Sequence, residues 1–350
     1  MGTIRAILAL SVVVWHLWGH ALPFTANGYN AVILFFIISG FYMSMVINNK
    51  YCKEPLFNFY MARALRIYPI YLVTLIFIVG FLSATGNPLP APTATREWIF
   101  STFTNISIFP IPWLGNWDWL AITPAWSLAV ELQFYLVAPF IVTRRLWICI
   151  AITLGLVALR LSALDQDFAY ARYSVPHADW CFFMLGAVAH RLGLLVKGDH
   201  VRKAIGWMAV IILPLAGLLC GLPIVKDLDR VELWGFYLVF AAAIPFVFSI
   251  SMRSRIDRIL GELSYPIYIV HWPAIKVILY YNAVIYRFLP YNYYREIDLG
   301  LVILASVALH FLIENPVERF RRRFSAPPAT KAETYAGAEF KGVGAGAPAE

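Results

Sequence analysis

Ionisable side chains stand inside otherwise apolar runs at His16, Glu131 and His271, and each is a place where chemistry can be done. A titratable group at bilayer depth is costly, so it is a functional hypothesis by default. His16 follows Arg5 in the run RAILALSVVVWHLWGH. Eleven steps of about 100° come to roughly three helical turns, so Arg5 and His16 share one face, about 16 Å apart along the axis. If Arg5 lies at the inner surface, His16 sits in the middle or outer half of the bilayer. An imidazole titrates near neutrality and can act as a general base; a histidine hydrogen-bonded to a neighbouring helix is the equal alternative. His20, one turn on, has the spacing of a zinc pair. No HExxH carboxylate or third ligand accompanies it, and we expect no metal.

Glu131, in PAWSLAVELQFYLVAPF, is a lone carboxylate that needs a partner or a proton. Ser127, four residues earlier, is placed to share a hydrogen bond with it. Such a group can orient a histidine, bind a substrate hydroxyl or brace the bundle, and transporters use the same residue type in proton relays. His271 lies in LGELSYPIYIVHWPAI, after Tyr265 and Tyr268, on a helix that Pro266 and Pro273 would bend. From the residues alone a structural role for it is slightly the better reading. Arg63 and Arg66 follow the second apolar run, in NFYMARALRIYPIY. Their spacing puts two guanidinium forks on one side of a turn, which suits phosphates, although an inside-positive bias alone also predicts basic residues there.

The elements that must position these groups are membrane helices. Of 350 residues 61% are hydrophobic and 14% charged, against about 25% charged in a soluble domain. Apolar runs recur at 4–21, 30–48, 67–85, 124–143, 146–162, 179–196, 204–225, 233–251, 263–284 and 297–314. We therefore expect an all-α polytopic membrane bundle of about ten transmembrane helices. The formal charge of +8 sits in short connections, so it speaks for topology rather than for nucleic acid. With the N-terminus inside, the cytoplasmic side collects Arg5, Lys50, Lys53, Arg63, Arg66, Arg144, Arg145, Arg191, Lys197, Arg202, Lys203, Arg253, Arg255, Arg258 and Arg319–Arg323. The other side holds only Arg96, Arg160, Arg172, Lys226, Arg230, Arg287 and Arg295, so both termini are expected to be cytoplasmic.

The first run has no Ala-x-Ala-like end and reads as a retained helix rather than a signal peptide. The outer segment 86–123 is rich in Pro and Trp, with a short interfacial helix expected over 96–109. Its aromatic residues read as membrane anchors before sugar-stacking platforms. Cys52, Cys149, Cys181 and Cys220 show neither metal spacing nor a disulfide framework. Residues 1–323 form the expected membrane domain and 324–350 a disordered cytoplasmic tail of small, polar, Pro/Gly-rich composition. No internal repeat or phosphate-binding glycine loop is found.

Taken together, RAILALSVVVWH, LFFIISGF, RALRIYPIY, WSLAVELQFYL, LSYPIYIVHWP and ENP, in that order over residues 4–323, resemble the acyltransferase 3 family of membrane O-acyltransferases. The resemblance implies ten helices in a bacterial inner or plasma membrane. It implies transfer of an acyl group, usually acetyl from acetyl-CoA, to a hydroxyl. Acceptors in the family are sugars of lipopolysaccharide, capsule or exopolysaccharide, or small molecules. Arg5, His16, Arg63, Arg66 and Glu131 match the family's functional positions. The second Glu often found after WSLxxE is Leu132 here, helix 1 starts almost at Met1, and no hydrolase-like domain is expected after the bundle.

The mechanism this implies makes His16 the base for a sugar hydroxyl, with Glu131 orienting the imidazole or binding the acceptor. Arg63 and Arg66 hold the coenzyme's phosphates, and Arg5, Ser127 and His271 complete the donor- and substrate-binding set. Acyl-CoA is a co-substrate, and no tightly bound cofactor is expected. Partners are acyl-CoA, a carbohydrate or lipid-linked sugar acceptor, membrane lipid and polysaccharide-assembly proteins. The competing class is a transporter or flippase for a lipid-linked sugar with His16 and Glu131 as a proton relay; the lack of a repeated half counts against it. A passive scaffold fits poorly with several intramembrane ionisable groups. Direct transfer and an acyl-enzyme on His16 or Ser127 both stay open.

Overall fold

A computed structural model describes residues 1–19, 28–52, 54–89, 92–111, 117–162, 176–220, 231–285, 287 and 293–321. His20 and the 324–350 tail lie outside them. Among the described residues the secondary structure is helical throughout, with no strand. The helices are α1 (Gly2–Trp18), α2 (Gly28–Asn49), α3 (Leu56–Ala84), α4 (Thr95–Ser107), α5 (Trp126–Ile141) and α6 (Leu146–Ser162). They continue with α7 (Trp180–Gly193), α8 (Asp199–Cys220), α9 (Val231–Ser251), α10 (Arg255–Tyr280), α11 (Tyr294–Leu309) and α12 (Asn315–Arg321). A π-helical turn, His310–Glu314, joins the last two.

Each expected apolar run falls on one of these helices. Among the described residues, six segments are long and apolar enough to cross a membrane: Gly28–Asn49, Leu56–Ala84, Thr123–Ile141, Asp199–Leu218, Leu233–Ser251 and Tyr294–Arg321. Their outward faces carry large apolar side chains such as Ile76, Trp207 and Ile211, as lipid contact requires. The short helix expected over 96–109 is present as α4, with Trp98, Ile99 and Phe103 exposed.

Two placements differ from the sequence reading. Arg63 and Arg66 were expected in a connection, but α3 begins at Leu56 and carries both on its early turns. Pro55 supplies the helix start, and LFNFYMARALR has no residue that would break the helix before the apolar run. Arg160, counted among the outer loop charges, is buried at the end of α6, with Nη1 3.4 Å from Asp179 Oδ1 and Nη2 donating to Tyr29 Oη at 2.6 Å.

Lipid tails offer no hydrophobic drive for helix association, so close packing has to supply it. Helices α2 and α7 meet at Gly40 and Gly186. A Cβ at Gly40 would lie 1.8 Å from the Phe183 carbonyl oxygen, and one at Gly186 1.9 Å from that of Ile37. Any larger residue at either position would force the backbones apart. Helix α1 packs along α10, with Gly2 against Asp257 and Gly261 at one end and His16 against His271 at the other. The contacts advance together on both helices, so α1 and α10 run in the same direction.

Candidate active site

The start of α1 is pinned to α10 by Asp257. Its Oδ2 accepts from the Met1 nitrogen at 2.7 Å and the Gly2 N–H at 2.9 Å, while Oδ1 accepts from Thr3 N–H and Oγ1, each at 2.9 Å. Burial works against the charged carboxylate, but these donors outweigh it and hold the group down at about 2. A helix N-terminus with a carboxylate on its orphan N–H groups is a stable arrangement, and here the carboxylate comes from another helix. This fixes where along α10 every later residue of α1 falls.

One turn on, Arg5 faces a cavity of about 770 Å³ between α1, α2, α3, α10 and the π-helical turn. Arg63, Arg66, Lys50, Arg258 and Arg321 also line it. Four carboxylates line it as well: Asp257 holds the start of α1, Glu314 Oε2 binds His310 Nδ1 at 2.7 Å, Glu318 Oε2 takes Arg321 Nε at 2.6 Å, and Glu262 is the fourth. Among the described residues no carboxylate lies within ion-pair distance of Arg5, Arg63 or Arg66. Arg63 is 7% exposed, its Nε has no hydrogen-bond partner, and its guanidinium lies over the rings of Phe59 and Tyr135 at 5.8 and 5.9 Å. A buried cation without a counter-ion is expensive. Burial, and then the charges of Arg321 and Arg63, push the Lys50 ammonium below its ordinary value at the cavity's edge. Six cationic side chains against four carboxylates leave the lining net positive, and the Arg5, Arg63 and Arg66 part of it suits a polyanion.

A second, smaller cavity of about 70 Å³ adjoins it, and Arg5, Tyr42, Arg66 and Tyr265 line both. Glu131 stands on its wall, accepting hydrogen bonds at Oε1 from Ser39 Oγ at 2.7 Å and from the Tyr135 hydroxyl. Ser127 lies on the same wall but does not bond Glu131. Its hydroxyl pairs with Tyr268 Oη at 2.7 Å and reaches the Pro124 carbonyl at 3.2 Å. Tyr42, Tyr265, Tyr268 and Ser264 also line it, with Phe35 and Phe36 among its apolar groups.

Beyond Tyr268 come the two histidines. The His271 ring centroid is 5.9 Å from that of Tyr268 and 5.0 Å from that of His16. His16 Nδ1 is 2.8 Å from the Val12 carbonyl oxygen and must donate to it, since a carbonyl only accepts. The orienting partner of His16 is therefore its own helix backbone rather than Glu131. Trp272 meets the His16 ring edge-on at 5.7 Å.

The sequence-derived residues thus fall into linked groups. Arg5, Arg63 and Arg66 meet at the large cavity; Arg5, Arg66, Ser127 and Glu131 meet at the small one; His16 and His271 meet just past it. Sequence reading missed Lys50, Arg258 and Arg321 as co-liners, and Ser39 and Tyr135 as partners of Glu131. Tyr135 had a signal, one turn after Glu131 on the same helix face; Ser39 had none. What the arrangement can do is hold an anion in the large cavity, with a smaller, partly polar cavity beside it and a basic imidazole nitrogen on His16 beyond.

Comparison with known proteins bears on that reading. The family model described as "Acyltransferase domain", Acyl_transf_3, matches residues 2–313. The chain is 25% identical over 361 residues to "O-acetyltransferase OatA" of Staphylococcus aureus (strain NCTC 8325 / PS 47), a match covering 90% of this chain and 56% of that protein. It is 27% identical over 350 residues to "Acyltransferase MdmB" of Streptomyces mycarofaciens, covering 88% of this chain and 87% of that one. An uncharacterized protein of Aquifex aeolicus (strain VF5) is 26% identical over 217 residues, 58% of this chain and 90% of its own length. No solved structure matches.

Proposed function

The chain belongs to the acyltransferase 3 family, and from that premise we propose that it moves an acetyl group from acetyl-CoA to a hydroxyl of a carbohydrate acceptor such as exopolysaccharide, O-antigen or capsule. It is a multi-pass membrane O-acyltransferase. We place it in a bacterial inner membrane, with about ten spans and both termini cytoplasmic.

The observation that carries the donor assignment is the set of unpaired guanidiniums around the large cavity. Arg63 and Arg66 take the coenzyme's phosphates, for which their forked donors are matched. The pantetheine arm, a narrow chain with amides, passes the neck formed by Arg5, Tyr42, Arg66 and Tyr265. It lies among the hydroxyls of the small cavity, with the thioester directed towards the histidines. His16, whose Nδ1–H is committed to Val12, keeps its lone pair at Nε2 and takes the acceptor hydroxyl's proton as the oxygen attacks the thioester carbonyl. The new C–O bond forms, the C–S bond breaks, and the departing thiolate recovers the proton as free CoA. Glu131, held by Ser39 and Tyr135, shares the small cavity with Arg5 and Arg66 rather than touching the base.

The deciding experiment uses the purified protein in detergent with acetyl-CoA. Release of free CoA that depends on an added carbohydrate acceptor is the expected result. Acceptor-independent silence, combined with uptake of a lipid-linked sugar into vesicles, would make it a transporter.

A further inference from the structure

His271 is 0% exposed, and its Nε2 has no hydrogen-bond partner. Its Nδ1 lies 2.5 Å from the Tyr268 carbonyl oxygen, so Nδ1 carries the hydrogen and Nε2 the lone pair. A buried acceptor left without a donor works against folding, and such an atom calls for an explanation. The aromatic rings set against His271 are Tyr268 and His16, and His16 is pinned in the same tautomer by Val12. Two neutral imidazoles therefore stand side by side, each with a lone pair at Nε2 and neither with a proton to offer the other.

We propose that His271 is a positioning residue acting through His16: neutral, buried and with its ring centroid 5.0 Å from that of His16, it stabilises the imidazolium that forms when His16 takes the acceptor hydroxyl's proton. The inference rests on the acyl-transfer reading above. In the step, the hydroxyl O–H bond breaks, the proton goes to His16 Nε2, and the ester C–O bond forms. As the thioester C–S bond breaks, the sulfur takes the same proton, and His271 ends as it began. An electron-rich neutral imidazole beside a developing positive charge interacts with it most strongly while His16 is an imidazolium, so the interaction strengthens as the reaction proceeds.

The test compares His271→Phe and His271→Gln with the wild type. Transfer of labelled acetyl from acetyl-CoA to native membranes is followed, together with CoA binding and thermal stability in detergent. Phe fills similar space and deletes the unsatisfied nitrogen, so melting should stay level or rise. Turnover should fall tenfold to a hundredfold at unchanged CoA affinity, and Gln, whose amide oxygen can accept, should recover part of it. A stabilised but inactive Phe variant with partial Gln rescue supports the role. Retained turnover in Phe, Gln no better than Phe, or activity lost in step with melting and CoA binding would each overturn it. Transfer by the wild type is scored separately, so failure of the acyl-transfer reading is distinguishable.

Discussion

Tyr135 donates its hydroxyl to Glu131, one helical turn before it, and the same ring lies beneath the guanidinium of Arg63. One side chain therefore touches both the carboxylate at the small cavity and the arginine at the large one. Tyr135→Phe keeps the ring under Arg63 and deletes only the hydrogen bond, which for a charged acceptor is worth about 1.5–3 kcal/mol. Turnover should drop about tenfold with the acetyl-CoA KM unchanged, whereas Tyr135→Leu should raise that KM as well. Equal kinetics in the two variants would break the link.

Arg63→Ala and Arg66→Ala should act on the donor. Each removes a charge-assisted contact of about 1.5–3 kcal/mol, tenfold or more in affinity. The KM for acetyl-CoA rises and that for the acceptor stays. If steady-state kinetics on folded variants show neither constant moving, the phosphates bind elsewhere.

His16→Ala should lose about 10²–10⁴-fold in turnover while still binding acetyl-CoA. Turnover of the wild type should fall as pH drops and the ring becomes protonated, because an imidazolium cannot accept a proton. His16→Gln retains polarity but not basicity, so a catalytic histidine leaves Gln as inactive as Ala. Near-normal activity in Gln would pass the role of base to Glu131 or His271.

Asp257 should hold the fold together in a defined pH window. A carboxyl at about 2 in the folded protein, below the unfolded value near 3.9, contributes fully above that upper value. The contribution, of order 2 kcal/mol, is lost as pH falls from about 4 to about 2. Asp257→Asn should melt earlier at neutral pH in detergent, and the gap from the wild type should close across that window. A gap independent of pH would assign the effect to packing.

Cysteines introduced as Pro90→Cys and Thr330→Cys should label from opposite sides of intact cells. Labelling of both from one side would overturn the proposed topology.

Much of this was legible in the sequence because membrane helices write themselves plainly. Every apolar run became a helix, since twenty apolar residues have few other options in lipid. The start of α3 was not legible: residues 56–66 are too polar for a hydropathy window, yet nothing in them stops a helix. The charge count also misjudged Arg160, which looks like a loop charge until Asp179 and Tyr29 close around it. Arg63 and Arg66 announced themselves by spacing, and Glu131 by isolation. The pairing of His16 with His271 did not, because it depends on α1 and α10 lying in parallel register, and no periodicity within either helix encodes its neighbour. The expected Ser127–Glu131 bond failed for a local reason: the hydroxyl at the start of α5 finds the Pro124 carbonyl and Tyr268 first.

The parallel seam of α1 and α10 also has a consequence for biogenesis. The ribosome delivers Arg5 and His16 first and Asp257 and His271 some 250 residues later, when most of the other helices are already inserted. Until then α1 waits in the membrane with an intramembrane imidazole unmatched and its starting N–H groups uncapped. Gly2, against which Asp257 must settle, leaves no room for a side chain at that seam. The seam between α1 and α10 can therefore close only late in synthesis, with α11, the π-helical turn and α12 still to follow, the last two of which complete the large cavity.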